Sequence, residues 1–284
     1  HHIENGLYHF TFIKALTNLT DLGPDDGGTT VIAGTHKIPD EVPKDALIDA
    51  ALAGRAARYM AVVPDAHARF PRARTGEVGL AEGWALARAL HDAVAADEDA
   101  ADKRVIVAIV DVPSQAYGRT EEAYGIHQAL AAAAEGAIRA RRAGHPVVTL
   151  IAGKAMSGGF LAHGYQANRL VALSGEGVQV HAMGKQAAAR ITQRSVEGVE
   201  QLAREITPMA YDIDSYERLG LLHARLDIAP TAADDAEAVE RVRQALADAV
   251  ADIGDTRGLD ARIGQGERTA TAAVRQRLAE VWAG

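Results

Sequence analysis

Long apolar runs alternate with amphipathic segments through the middle of the chain. Residues 104–112 are a continuous, largely β-branched run, and residues 146–152 form a second apolar run, a pattern typical of strands covered on both faces. Between them, residues 121–143 repeat apolar positions at helical spacing, and Gly144 follows where a helix would end. The strand–helix–strand order predicts an α/β fold with a largely parallel sheet and right-handed crossovers.

The same patterns predict further elements on either side of this block. Other strands are predicted at 58–63, 169–173 and 178–182, and other helices at 80–95, 160–168, 195–206, 214–219, 234–253 and 267–282. Near the N terminus we expect a short helix at 12–20 and a strand at 29–33. Residues 1–8 are expected to be a cloning remnant, residues 9–230 one domain, and residues 231–284 a helical C-terminal extension of the same domain.

Composition narrows the classes of function. A net charge of −8 without a dominant basic stripe argues against a nucleic-acid-binding protein. The chain contains no cysteine, which excludes disulfides, thiolate catalysis and cysteine-ligated zinc and fits a cytoplasmic protein. No apolar run approaches the roughly 18 residues that a membrane-spanning helix needs, and no signal-peptide pattern is visible. We therefore expect a cytoplasmic protein without a metal site and without nucleic-acid or membrane partners.

The glycine-rich segment 153–159 is the first candidate for chemistry, because it lies between a predicted strand and the helix predicted at 160–168. Such a junction points backbone N–H groups into a cleft, where they can stabilise an oxyanion or bind a carboxylate. Gly158 and Gly159 are the expected donors; the alternative is that they only allow close packing of strand and helix. Ser157 as a nucleophile is disfavoured by the lack of a Gly-x-Ser-x-Gly pattern, and we expect it to be the helix N-cap instead.

Titratable side chains in and near the segment offer further chemistry. His163 and His181 could each supply a proton at neutral pH, or could be hydrogen-bonded structural residues. Lys154 and Lys185 could bind a carboxylate or a phosphate, and for Lys185 a solvated side chain is the preferred interpretation. Asp111, at the end of the first long strand, could act as acid or base but more simply anchors a turn.

Three separated motifs resemble the carboxyltransferase branch of the crotonase-like superfamily. They are Asp-Val-Pro-Ser-Gln-Ala-Tyr-Gly at 111–118, Glu-Glu-Ala-Tyr-Gly at 121–125 and Gly-Lys-Ala-Met-Ser-Gly-Gly at 153–159, and Leu-Gly-Leu-Leu at 219–222 follows further on. Ser114 stands where that branch usually has glycine, so this turn is expected to differ. The resemblance implies a crotonase/ClpP-like, carboxyltransferase-type ββα spiral with a largely parallel sheet and flanking helices.

Within that branch the chain resembles the gamma subunit of biotin-independent malonate decarboxylase. Segments 70–80, 153–164 and 180–185 carry this likeness, which extends over roughly residues 55–225. It implies a heterodimer with a beta subunit, whose interface holds a malonyl thioester on the phosphopantetheine-like arm of an acyl carrier protein, and an acyltransferase subunit elsewhere in the complex. It also implies decarboxylation to an acetyl thioester and carbon dioxide, in a chain that is inactive alone and binds no cofactor itself.

The motifs and the resemblance together give a set of expected site residues. The expected catalytic residues are Gly158, Gly159, Ser157, His163 and His181. The expected substrate-binding residues are Lys154, Met156, Gly118, Tyr117 and Lys185.

Three other functions remain open at this point. The chain could be a stand-alone crotonase-like acyl-CoA hydratase or thioesterase that works as a homo-oligomer. It could be a non-catalytic scaffold that stabilises an active partner. It could also be a serine protease of the related self-compartmentalising type, in which case Ser157 would react with a serine-directed probe.

Overall fold

The computed structural model describes residues 2–4, 7–9, 47–232 and 235–283. The helix predicted at 12–20 and the strand predicted at 29–33 lie outside the described residues. At the start of the chain, β1 (His2–Glu4) pairs antiparallel with β2 (Leu7–His9). Within the described ranges, no helix is both long and apolar enough to cross a membrane.

A larger sheet forms the centre of the described chain. Its strands are β3 (Leu47–Leu52), β4 (Arg55–Ala61), β5 (Val105–Val112), β6 (Val147–Met156), β7 (Arg169–Leu173), β8 (Gln179–His181) and β9 (Ala224–Leu226). The order is β3-β4-β5-β6-β7-β9, and β8 pairs with β6. In this sheet β3 and β4 are antiparallel and every other described pair is parallel, which confirms the predicted largely parallel sheet.

The described residues also form helices. They are α1 (Leu80–Ala96), α2 (Arg119–Ala123), α3 (Ile126–Arg142), α4 (Ser157–Ala162), α5 (Lys185–Thr192), α6 (Val196–Glu205), α7 (Ile213–Arg218), α8 (Ala236–Ile253) and α9 (Thr269–Ala283). Short 3-10 helices occur at Pro71–Ala73, Thr207–Met209 and Asp260–Arg262.

Helices α1 and α3 pack closely against each other. A Cβ on Gly83 of α1 would lie only 2.8 Å from the main chain of Ala129 in α3, so the contact requires glycine. Trp84, which is 2% exposed, packs beside this contact with Leu80 and Ile126. Burying such a large side chain contributes on the order of 3 kcal/mol, which helps to hold the two helices together.

Strand β6 changes its neighbour halfway along. Residues 148–151 pair with β7, whereas residues 154–156 pair with β8. On the other side the register with β5 shifts, because Val110 lies opposite Ile151 but Val112 lies opposite Ala155. The extra β6 residues form a bulge, a feature that bends a strand and often lies next to a functional site.

The side chain of Asp111 occupies this bulge. Its Oδ1 atom accepts a hydrogen bond from the backbone N–H of Lys154 at 2.8 Å. A Cβ on Gly153 would collide with the same carboxylate, which explains the first glycine of the motif. Asp111 therefore anchors the bend in β6, in agreement with the simpler of its two sequence interpretations.

Most predicted elements are confirmed to within two residues. These are the strands predicted at 104–112, 169–173 and 178–182 and the helices predicted at 80–95, 195–206, 214–219, 234–253 and 267–282. The strand predicted at 58–63 begins three residues earlier, at Arg55. Strands β3 and β9 and helix α5 are not anticipated by the sequence patterns.

Three predictions around the glycine-rich segment are wrong in detail. The helix predicted at 121–143 is split into α2 and α3, because Gly125 adopts a left-handed backbone with φ of +82°. The apolar run that begins at 146 does not end at 152, since β6 continues to Met156. The helix predicted at 160–168 is the shorter α4, which starts at Ser157 and stops ahead of Gly164 with φ of +104°.

The C-terminal part of the chain is attached to the sheet by α8 and by polar contacts. Helix α8 packs against β3, β6, β7 and β9 and buries Ala238, Ala245, Leu246, Ala249, Val250 and Ile253. The Asn168 side chain donates to the carbonyl oxygens of Thr256 and Gly258 and accepts from the N–H of Val147. By contrast, α9 buries none of its residues and leaves Trp282 93% exposed.

Candidate active site

The predicted site lies where β6 ends and α4 begins, at the carboxyl end of a parallel strand. Ser157, the first residue of α4, has a left-handed backbone with φ of +64°. This conformation costs a non-glycine residue roughly 1–2 kcal/mol. The sharp change of direction places the next two residues, Gly158 and Gly159, beside the loop that follows β5.

The backbone amide of Gly158 already has a partner. Its N–H donates to Oε1 of Gln115 at 2.7 Å, across a sequence separation of 43 residues. Gln115 belongs to the loop after β5, and its backbone position is set by its neighbours, because Ala116 N–H donates to Val78 O and Val78 N–H donates to Ser114 O. The N–H that was predicted to bind substrate is therefore already hydrogen-bonded to the neutral carboxamide oxygen of Gln115.

Gly159 is required by close packing. A Cβ there would lie 2.5 Å from the carbonyl oxygen of Ser114 and 2.6 Å from a side-chain carbon of Val112. These distances are too short for any other residue without a movement of the loop. The packing interpretation of this glycine thus has direct support, and its role as an oxyanion donor stays a prediction.

Ser157 ties the junction to the end of β8. Its Oγ atom donates to the carbonyl oxygen of Ala182 at 3.3 Å. The predicted N-cap role is wrong: the N-cap of α4 is Met156, because the left-handed Ser157 already belongs to the first turn. Within the described residues no histidine is hydrogen-bonded to Ser157, so the geometry provides no base for a nucleophilic serine.

His163 lies beneath the junction rather than in a cleft. It is 2% exposed, and its Nε2 atom is 3.0 Å from the carbonyl oxygen of Ile109 in β5. Because a carbonyl can only accept, Nε2 carries the proton in this contact. Burial lowers the pKa of His163 to about 4, which keeps the ring neutral at physiological pH. This placement favours the structural interpretation.

His181, at the end of β8, is more accessible. Its ring stacks on Tyr211 with a centroid distance of 3.9 Å. Its Nδ1 atom faces both the N–H and the carbonyl oxygen of Met183, at 3.0 and 2.8 Å. Nε2 has no hydrogen-bond partner within the described part of the chain. Burial lowers the pKa of His181, and the contact with Met183 O partly offsets this. The free nitrogen keeps His181 available for proton transfer.

The two expected lysines differ in their surroundings. Lys185 Nζ pairs with Glu200 at 2.8 Å and lies 5.5 Å above the Tyr211 ring, in the wall of a cavity of about 540 Å³. It is therefore paired rather than simply solvated. Lys154 is exposed beside the β6 bulge, and among the described residues its ammonium group has no partner. Of the two, Lys154 is the freer to bind an anion.

The other expected substrate-binding residues have distinct positions. Met156 is buried in a small apolar cluster with Tyr211 and residues of α5 and α6. Tyr117 is 54% exposed. Gly118 makes room for the buried Glu121, since a Cβ would lie 2.5 Å from the carboxylate.

The structure thus brings part of the expected set together. Hydrogen bonds connect Gly158 with the loop after β5, and Ser157 with the end of β8. Sequence reasoning missed Gln115 and Tyr211. The position of Gln115 inside the Asp-Val-Pro-Ser-Gln motif was a usable signal, whereas nothing in the chain pattern pointed to Tyr211.

Comparison with known proteins defines the class and the family. The sequence profile described as malonate decarboxylase gamma subunit matches residues 73–282. A chain of a Pseudomonas malonate decarboxylase hetero-tetramer in complex with coenzyme A has 57% identity and a TM-score of 0.81, over 84% of this chain and 93% of that one. A chain of the Pseudomonas malonate decarboxylase MdcD–MdcE hetero-dimer has 54% identity and a TM-score of 0.78, over 85% and 94%.

A more distant relative is the malonyl-S-ACP:biotin-protein carboxyltransferase MADD of Malonomonas rubra. It is 32% identical over 201 residues, which cover 69% of this chain and 65% of that protein. The described chain therefore has a carboxyltransferase-type α/β fold, as the motifs predicted. More narrowly, the chain belongs to the malonate decarboxylase gamma subunit family.

Proposed function

We propose that the chain, paired with a beta subunit, decarboxylates a malonyl thioester carried on an acyl carrier protein. The observation that carries this proposal is a hydrogen bond at the end of β6, in which the Gly158 N–H donates to the neutral carboxamide oxygen of Gln115 at 2.7 Å. A thioester carbonyl offers the same kind of acceptor. The names of the relatives support the substrate class, since one is a complex with coenzyme A and another acts on malonyl-S-ACP.

The reaction places clear demands on this junction. The bond between the carboxylate carbon and the α-carbon breaks, carbon dioxide leaves, and the electron pair moves into an enolate whose negative charge lies on the thioester oxygen. Backbone amides such as those of Gly158 and Gly159 can stabilise that oxygen without titrating. A proton must then reach the α-carbon, and His181, with its free Nε2, is the better placed of the two histidines.

The exposed surface around the junction supports a partner that completes the site. Tyr117, Tyr124 and Leu161 are 54%, 46% and 45% exposed, and they lie on the loop after β5, at the α2–α3 junction and on α4. Tyrosine is enriched at interface centres. We therefore expect little activity from the chain alone and a cytoplasmic complex with beta, acyl carrier and acyltransferase subunits.

The test is a decarboxylation assay with three samples: this chain alone, its beta partner alone, and the two mixed. We expect release of carbon dioxide from a malonyl thioester only in the mixture. Turnover of acyl-CoA substrates by the lone chain would instead favour the stand-alone hydratase or thioesterase. Full activity of the beta partner alone would favour the scaffold function.

A glycine substitution tests whether the junction takes part. Gly158→Val fills the space now taken by Gln115 and keeps the backbone N–H of residue 158 from its partner. We expect decarboxylation by the mixture to fall at least about 10²-fold, a loss of the size that follows when one oxyanion donor is disabled. Gly198→Val in α6 is the control, because the nearest atom to a Cβ there is 3.5 Å away and the site is not involved. Equal activity of both variants would contradict the proposed site.

A further inference from the structure

The Gln115 carboxamide lies across the glycine that the motifs single out. Its Oε1, Cδ and Nε2 atoms are 3.2, 3.4 and 3.8 Å from the point that a Cβ would occupy on Gly158. Oε1 also accepts the Gly158 N–H at 2.7 Å. A substrate oxygen cannot reach that N–H from this side unless the carboxamide leaves.

Hydrogen-bond chemistry fixes the orientation of the carboxamide. A backbone N–H can only donate, so the oxygen of Gln115 must face Gly158 and the NH₂ group must point elsewhere. Nε2 has no partner within the described residues, and it is not among the buried polar atoms that lack one. Nε2 is therefore not completely buried, and the described residues leave its two N–H donors unused.

The backbone of Gln115 is also held in place. The flanking residue Ala116 donates its N–H to Val78 O at 2.9 Å, and the carbonyl oxygen of Ser114 accepts from Val78 N–H at 3.2 Å. The residue is thus fixed at both ends, by the Val78 pairing at its backbone and by Gly158 at its side chain. A donor held in this way needs little reorganisation when charge develops in front of it.

We propose that Gln115 is a catalytic residue of the thioester decarboxylation, and that its Nε2 N–H donates to the oxygen that becomes negative. In place of the direct contact with substrate proposed above, the Gly158 N–H then acts through Gln115, by holding and polarising the carboxamide. Hydrogen bonds in such a chain strengthen one another, and a carboxamide does not titrate near neutral pH. The inference rests on the proposed function, because it assigns one donor of the same site.

The test compares Gln115→Glu, Gln115→Ala and the wild type, each assembled with the beta subunit and assayed with a malonyl thioester. Glutamate keeps the oxygen that binds Gly158 N–H but has no N–H of its own. We expect kcat of Gln115→Glu to fall about 10²-fold or more, with KM nearly unchanged. We also expect its rate to rise as the pH is lowered, since a protonated carboxyl regains a donor.

Gln115→Ala distinguishes a donor from a side chain that merely covers the glycine. If Nε2 is the donor, this variant also loses activity. If substrate normally displaces Gln115, alanine exposes Gly158 N–H and activity is kept or raised, which overturns the inference. Wild-type activity in Gln115→Glu overturns it as well, because that variant retains the structural contact.

Two controls separate folding and function from the inference. Gln193→Glu at the exposed end of α5 introduces the same charge elsewhere, and its kcat is expected to match the wild type. Gln115→Met keeps the side-chain length without polar atoms, and we expect it to lose as much activity as the alanine variant. This comparison requires that all variants assemble and unfold like the wild type. An inactive wild-type complex would refute the proposed function itself, whereas an active wild type with active variants refutes only the role of Gln115.

Discussion

At the scale of single residues, the junction between β6 and α4 depends on two features. Glycines leave room there because they have no side chain, and residues distant in sequence supply hydrogen bonds. Gly153 yields space to the Asp111 carboxylate, and Gly159 yields space to the loop after β5. Gln115 and Asp111 each bond a backbone N–H of the segment that begins at residue 153. The glycines of the motif thus have a clear packing role, whatever chemistry they also serve.

His163 makes a residue-level prediction about pH. Its folded pKa is about 4 and its ordinary value is 6.5, so below pH 6.5 the unfolded chain takes up a proton that the folded chain does not. This contribution to stability is complete above pH 6.5 and is lost as the pH falls towards 4. We expect His163→Gln to reduce the loss of unfolding free energy between pH 7 and 4.5 by about 2.5 kcal/mol, as measured by urea denaturation.

The control for this measurement is His127→Gln. His127 is exposed on α3, so this variant controls for the change from histidine to glutamine away from the core. An unchanged pH dependence in His163→Gln would mean that His163 is solvated in the folded protein.

At the scale of elements, the two C-terminal helices differ in how they are held. Helix α8 is amphipathic, and its buried face packs on the sheet. Helix α9 follows a loop tied down by Arg262, whose guanidinium donates to the carbonyl oxygens of Tyr165 and Ala167, but the helix itself remains uncovered. Its exposed apolar residues are Val274, Leu278, Val281 and Trp282.

A pair of matched substitutions tests this difference. Leu246 in α8 is 4% exposed and Leu278 in α9 is 64% exposed. We expect Leu246→Ala to lower the free energy of unfolding by about 2–5 kcal/mol, because it removes a buried side chain and leaves a cavity. Leu278→Ala should change it by no more than about 0.5 kcal/mol. Thermal and urea unfolding of both variants provides the measurement, and similar losses would mean that α9 is packed in solution.

Sequence patterns predicted the central strands well because nearly all of their residues are buried. Residues 105–112 and 169–173 are buried strands whose apolar runs have no other good explanation. Strand β3 was missed because four of its six residues are exposed, and β9 because its three residues include an exposed arginine and none that is fully buried. The Gln115–Gly158 bond joins residues 43 positions apart, so no local pattern could contain it.

At the scale of the whole molecule, the proposed function requires the chain to work within an assembly. Its solved relatives come from a hetero-tetramer and from a hetero-dimer. Exposed tyrosines around the junction fit a surface that is covered when a partner binds. A partner that binds only the folded chain must also stabilise it, by an amount set by its concentration relative to the dissociation constant.

This reasoning predicts a concentration-dependent melting temperature. At a beta-subunit concentration about 100 times the dissociation constant, the chain should gain about 2.7 kcal/mol of stability. We expect its unfolding midpoint to rise by about 5 °C or more in differential scanning fluorimetry. Serum albumin at the same concentration is the control, and no rise in the presence of a saturating beta subunit would argue against a stable pair.

The two tryptophans lie in different environments, so their intrinsic fluorescence can report on two different events. The chain has two tryptophans, one buried between α1 and α3 at 2% exposure and one on α9 at 93%. With Trp282 replaced by phenylalanine, the remaining fluorescence of Trp84 follows the loss of the core. With Trp84 replaced instead, the emission of Trp282 follows whatever comes to cover α9. The intrinsic fluorescence of these two single-tryptophan variants, measured without any added dye, would therefore distinguish unfolding from assembly.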